Sequence, residues 1–266
     1  ARAEDFIIGV GGDDERALGE VREGEQHGRS MLPGRAESRN RGGILPAMTA
    51  SFPTGHLPCD CHYDPAPSKR IVITGGPGAG KTAVLEAARH ALCGHAALLP
   101  EAASLVFGGG FPRTDGIPSR WAAQRTIFRV QSELERLAIE EARYAVILCD
   151  RGTLDSLAYL PGDPEPFLSD LGTSHAAEMA HYAAVIHLDT PEVAGRYNHQ
   201  NPLRIETPAE AMAINARIAE IWSGHPNRVV ISQNENFLAK IIKAITAIHR
   251  ELPECCRKSV QTQAPD

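Results

Sequence analysis

From Lys69 onward the chain alternates short apolar runs with longer amphipathic stretches. The apolar runs are Arg70–Thr74, Ala96–Leu99, Ala145–Cys149, Ala184–Leu188 and Arg228–Ser232. Most are continuous rather than alternating, the pattern of strands covered on both faces. Between them, apolar residues recurring at three-and-four spacing predict helices at about 81–93, 118–142, 174–182, 207–223 and 235–250. Strands that alternate with helices predict an α/β protein with a parallel sheet and helices on both faces. On the helix 118–142, Gln124, Phe128 and Gln131 share one face. An aromatic ring between two amides would suit a flat base, and Phe128 equally suits a core. Ile127, Leu134 and Leu137 are predicted to face the sheet.

Residues 1–68 lack this order. They are rich in Gly, Arg and Glu, then in Pro between Pro46 and Pro67. Such a segment buries too little apolar surface to offset its ordering entropy, which predicts a disordered N-terminal extension. The chain begins with Ala1 rather than Met, and Met48 opens a short lead-in to the first strand. The folded domain is expected over 69–252, followed by a flexible tail over 253–266.

The 266 residues include 42% hydrophobic side chains, enough for a sizeable core, and carry a net charge of −6. That sign provides no attraction for nucleic acid or anionic lipid, so no nucleic-acid partner is expected. No apolar run is long enough for a transmembrane helix, and no signal-peptide pattern opens the chain; a cytoplasmic protein is expected. Cys93 and Cys149 fall in apolar patterns that predict buried, reduced thiols. Cys59-Asp60-Cys61-His62 has the residue types of a metal site. No second ligand pair follows at zinc-site spacing, and Cys255-Cys256 stands far away at the tail, so no metal is expected there.

The first run breaks into Gly75-Gly76-Pro77-Gly78-Ala79-Gly80-Lys81-Thr82. This is the spacing of a phosphate-binding P-loop between a strand and a helix. Its glycines let backbone N–H groups point inward at phosphate oxygens, and the helix aims its positive end at the same charge. The ligand predicted is a nucleoside triphosphate, ATP or GTP. Lys81 would reach the β- and γ-phosphates and the Thr82 hydroxyl would hold Mg²⁺.

Other candidates cluster where strands end, since ligands gather at the carboxyl ends of parallel strands. Asp150 could hold Mg²⁺ through water, and Arg151 beside it could grip a phosphate. Glu101, after the second strand, could orient or deprotonate an attacking hydroxyl. Arg196 and Arg204 lie in a polar stretch suited to a lid over the phosphates, with Arg217 a weaker candidate. Asp155 could contact the substrate or support its own helix. Ser232-Gln233-Asn234, after the fifth strand, lies where P-loop kinases approach the base.

GGPGAGKT, the later PEAA at Pro100–Ala103, CDRG at Cys149–Gly152, NPLR at Asn201–Arg204 and WSGHP at Trp222–Pro226 together resemble the AAA-domain ATP-binding family. That family is related to the nicotinamide riboside kinase domain and includes the TRPL translocation defect proteins. The resemblance runs from about Arg70 to Ile248. It implies a P-loop NTPase of the nucleoside/nucleotide-kinase-like class, a three-layer α/β/α fold around a five-stranded parallel sheet. Relatives often continue PEAA with Arg, where this chain has Ser104. The function expected is Mg²⁺-dependent transfer of a γ-phosphate to a small hydroxyl-bearing, nucleoside-like acceptor. The alternative is a nucleotide-dependent binding protein or switch that hydrolyses slowly and has no small-molecule acceptor.

Overall fold

Ile71, Val72 and Ile73 have no solvent exposure, and the strand that carries them, β1 (Lys69–Thr74), lies at the centre of the sheet. The computed structural model describes residues 51–59, 67–190, 207–232, 236–254 and 256–257. From β1 the chain runs through α1 (Lys81–Ala91), β2 (Ala96–Leu99), α2 (Ala102–Gly108), α3 (Ile117–Glu140) and β3 (Val146–Asp150). A 3₁₀ helix (Thr153–Tyr159), α4 (Glu165–Leu171), α5 (His175–Ala180), β4 (Ala184–Leu188), α6 (Pro208–Ile221), β5 (Arg228–Ile231) and α7 (Phe237–Glu251) follow.

The strands form one five-stranded sheet in the order β2-β3-β1-β4-β5, every pairing parallel. After β1 the chain passes over the place later taken by β3, and then crosses to the other side of β1 for β4. The carboxyl ends of β1 and β3 therefore flank a crevice, the position at which such sheets bind ligands. Side chains alternate between two apolar layers. Ile71, Ile73, Leu148 and Ile186 pack with α1 and α7, while Val72, Ile147, Cys149 and Val185 pack with α3, the 3₁₀ helix, α4 and α6. The result is the expected three-layer P-loop fold. Each fully buried aliphatic side chain contributes about 1.5–3 kcal/mol of transfer free energy.

Three helices escape the periodic pattern: α2, the 3₁₀ helix and α4, each of seven residues. A segment under two turns repeats its apolar spacing too few times to register. Leu137, expected to face the sheet, is 50% exposed, and the buried position near it is taken by Glu135. Glu135 is accommodated because Arg70, Gln131 and the Tyr182 hydroxyl all donate hydrogen bonds to its carboxylate.

The extension expected over 1–68 is structured in part. The amide of Leu98 donates to Pro53 O at 2.8 Å and that of Gly55 to Ala96 O at 3.0 Å, with an antiparallel bridge between Thr54 and Ala97. Residues 51–59 thus satisfy backbone groups on the outer edge of β2, which would otherwise offer a template for another strand. Residues 1–50 and 258–266, most of the predicted extension and tail, lie outside the described residues.

Candidate functional site

At the end of β1 the chain must turn against β4. Gly75 does so with φ 134°, and a Cβ there would stand 2.1 Å from the Leu188 carbonyl oxygen, so only glycine fits. The loop closes at Gly80, the N-cap of α1, which supplies no side chain to the first-turn amides of that helix. Those amides are left to face the crevice, the usual basis of anion binding at a helix start. Asn215 on α6 holds the loop from outside, accepting the Gly76 amide at 2.9 Å. Lys81 is buried and donates to the carbonyl oxygens of Gly75 at 2.9 Å and Gly76 at 3.1 Å. Burial, and then Arg151, lower its pKa to about 8 against the opposing pull of Asp150 and Glu101.

Beside the loop, the carboxyl ends of β2 and β3 bring three charged side chains together. Asp150 is the last residue of β3. Burial, reinforced by Glu101, pushes its carboxyl up to about 6 even though Lys81 and Arg151 pull the other way. Its Oδ1 is buried without a hydrogen-bond partner among the described residues. Arg151 follows in the left-handed region at φ 75°, a conformation that costs a non-glycine residue about 1–3 kcal/mol. Its side chain is held from several sides. Nε donates to Glu101 Oε1 at 2.8 Å, a guanidinium nitrogen reaches Gly75 O at 3.3 Å, and the group lies over the Tyr159 ring. Glu101 also accepts from the Ser104 hydroxyl at 2.5 Å. Burial would raise the Glu101 pKa, but Arg151, Ser104 and Lys81 outweigh it and hold the carboxyl at about 2. The Arg151 guanidinium, despite its own desolvation, is held above its ordinary value by Tyr159 and Glu101.

These groups open onto one cleft of about 610 Å³. The P-loop, Asp150 and Arg151 form one wall, and Phe107, Arg113, Gln124 and Tyr159 contribute to the others. A family model described as an AAA domain matches residues 70–239 of this chain. The chain belongs to the AAA domain family. Within that domain the P-loop is a nucleotide-binding element. No curated protein matches the chain by sequence.

Among solved structures, NadR protein in complex with NR aligns at TM-score 0.53 and 15% identity, covering 71% of this chain and 52% of that one. NadR in complex with NAD and AMP-PNP aligns at TM-score 0.47 and 16% identity, over 70% and 49%. Deoxyadenosine kinase from M. mycoides with bound dATP aligns at TM-score 0.47 and 13% identity, over 68% and 98%. The chain thus spans about half the length of the NadR chains. At 15% identity the likeness to NadR in complex with NR bears on the fold alone.

Within the AAA domain, Pro77, Gly78, Gly80, Lys81, Thr82, Glu101, Asp150 and Arg151 all line this cleft. Gln124 and Gln131 line it too, whereas Phe128 packs edge-on against Phe167 in the core. Asp155 supports the site from within. It accepts from the Thr74 hydroxyl at 2.7 Å, the Gly152 amide at 3.0 Å and the Trp222 indole at 2.9 Å. Arg217 borders the cleft and donates to Ala158 O. Arg196, Arg204 and Gln233-Asn234 lie outside the described residues. Asn215 and Tyr159 were not foreseen. Asn215 did carry a weak signal, a poor helix former in the middle of a strongly helical segment.

Proposed function

We propose that this AAA domain is a phosphotransferase that passes the γ-phosphate of ATP or GTP to a small hydroxyl-bearing, nucleoside-like acceptor. The observation that carries this reading is the Glu101–Arg151 pair. It stands between the P-loop and the cleft and is anchored to the loop carbonyl of Gly75. A protein that only holds and releases nucleotide needs no carboxylate–guanidinium pair on that side. The cleft of about 610 Å³, which the P-loop and the pair line together, is within the size range of small-molecule sites.

In this reading Lys81 and the loop amides hold the triphosphate, and Arg151 neutralises charge that develops on the transferring group. The residues present also fit Mg²⁺. Asp150 presents a buried oxygen with no described partner, and Thr82 offers a hydroxyl on the same wall. When bound there, Mg²⁺ would neutralise phosphate charge. Glu101 is ionised and immobilised, and at about 2 its carboxyl is too acidic to be an efficient base near neutral pH. Its role is therefore to orient the acceptor hydroxyl, with Ser104 and Arg151 fixing its direction. In Arg196 and Arg204 the sequence supplies cations for a lid over the phosphates, and a cytoplasmic setting suits a nucleotide-consuming enzyme. Among the described residues no helix is long and apolar enough to cross a membrane.

The test is transfer of labelled γ-phosphate to a panel of nucleosides and related alcohols, with Glu101→Gln as the control. The variant is expected to lose at least about a hundredfold in transfer while its nucleotide affinity stays within a few-fold. Release of free phosphate alone, across the whole panel, would favour the switch reading, which the acidity of Glu101 also suits. Loss of nucleotide binding in Glu101→Gln would show that Glu101 belongs to the nucleotide site.

A further inference from the structure

At the opposite end of the sheet, three separate stretches of chain bring metal-binding side chains together. Cys59 closes the segment that runs along β2. Cys93 and His95 sit in the turn between α1 and β2, and Cys256 follows α7. One ligand atom from each of the four lies within 4.8 Å of all the others. His95 Nδ1 is 3.9 Å from Cys93 Sγ and 3.6 Å from Cys256 Sγ. A tetrahedral zinc ion with ordinary Zn–S and Zn–N lengths sets its S···N edges at about 3.6 Å and its S···S edges at about 3.8 Å. Cys93 and Cys256 are buried and Cys59 and His95 half-buried, all within or beside the apolar layer of α1 and α7. We propose that Cys59, Cys93, His95 and Cys256 form a closed, structural Cys₃His zinc site.

Several features separate this from a chance cluster of thiols. Among the described residues the three cysteines are thiols rather than disulfides, and three thiols cannot all pair off within the cluster. A cation placed among the four ligand atoms engages every sulfur at once. Zinc binding to such a set releases the thiol protons. The turn that carries two of the ligands is already rigid, because His95 O accepts the amides of both Ala145 and Val146. With four protein ligands no position is left for substrate, which marks a structural site. Its location agrees: α1 and β2 begin or end here and deliver Lys81 and Glu101 at their far ends. Zinc would tie the edge segment and the end of α7 to the two elements that position the catalytic side chains.

From the sequence no metal is expected at Cys59-Asp60-Cys61-His62, because no second ligand pair follows at zinc-site spacing. The structure instead assigns Cys59 to partners 34 to 197 positions away (93 − 59 and 256 − 59). Cys61, His62 and Cys255 lie outside the described residues and serve as controls.

The experiment is metal analysis of the full chain, purified without chelator and under reducing conditions. We expect about one equivalent of zinc per chain, less than about a tenth in Cys93→Ser and His95→Gln, and retention in His95→Cys, Cys61→Ser and Cys255→Ser. Cobalt added to the reduced, stripped protein should give the charge-transfer and ligand-field bands of a tetrahedral thiolate site. Chelation of the wild type should lower its melting temperature by about 5 °C or more. A native protein without zinc that also fails to take up cobalt would overturn the assignment. So would zinc that depends on Cys61 or Cys255 and survives Cys93→Ser, or thiol counting that finds Cys59 or Cys256 in a native disulfide. Because cobalt spectra and metal content do not need activity, failure here leaves the phosphotransfer reading untouched.

Discussion

Asp150→Asn should make the nucleotide-free protein more stable while removing its response to magnesium. The Asp150 carboxyl stands at about 6 against an ordinary 3.8, so its ionisation at neutral pH costs the fold up to about 3 kcal/mol. Two effects reduce that figure. The side chain is only half-buried, and Lys81, which benefits from the anion, loses a partner in the variant. About 1–1.5 kcal/mol is a reasonable net gain, or about 2–6 °C in melting temperature for a domain of this size. The pH dependence gives the sharper check. A carboxyl whose folded-state pKa is raised binds its proton more tightly in the native state. Its favourable contribution is therefore present below about 4 and is lost as pH rises through about 6. The assay is thermal melting of wild type and variant in EDTA between pH 4 and 7.5. The melting temperatures should coincide near pH 4 and diverge in favour of Asn as the pH rises. Addition of magnesium and a non-hydrolysable ATP analogue should then stabilise the wild type and leave the variant nearly unchanged. A gap that stays constant across the pH range, or an Asn variant less stable at pH 7.5, would refute the assignment of Asp150 as a carboxylate whose ionisation costs the fold stability.

Gly152→Ala should cost about 1–3 kcal/mol by overpacking, because a Cβ at that position would meet the Trp222 ring at 2.8 Å and Val72 at 3.0 Å. Urea denaturation reads the stability, and a displaced Arg151 next door should lower any transfer activity in parallel; an unchanged midpoint would contradict the packing. Tyr182→Phe removes a hydroxyl that donates to Glu135 and accepts from the Thr153 amide, both at 2.9 Å. The buried groups it leaves behind should lower stability by about 1–3 kcal/mol in the same assay, and a neutral variant would show that water replaces the hydroxyl.

The parallel strands and long helices could be read directly because their signals are local: continuous β-branched runs and repeated three-and-four spacing. The P-loop was equally legible, since its function requires glycine at particular backbone angles, and Gly75 and Gly80 adopt them at φ 134° and 100°. The short helices α2 and α4 were not, because seven residues cannot establish a period. Nor was the order of residues 51–59, whose stability comes from hydrogen bonds to β2 rather than from their own composition.

Glu101 and Arg151 could each be picked out as candidates at strand ends. Their pairing, and the acidity that makes Glu101 a poor base, follow from β2 and β3 being neighbours in the sheet. Asn215, Trp222 and Asp155 join the site through contacts that cross 67 to 139 positions of chain. By itself, then, the sequence determined the class of fold and the phosphate-binding loop. Tertiary structure decided which charges share a cleft, and it brought Cys59 to Cys93, His95 and Cys256. The physical reason is that charge pairing, desolvation and metal coordination depend on distance in space, and residue spacing along the chain carries that distance only within a single helix, strand or turn.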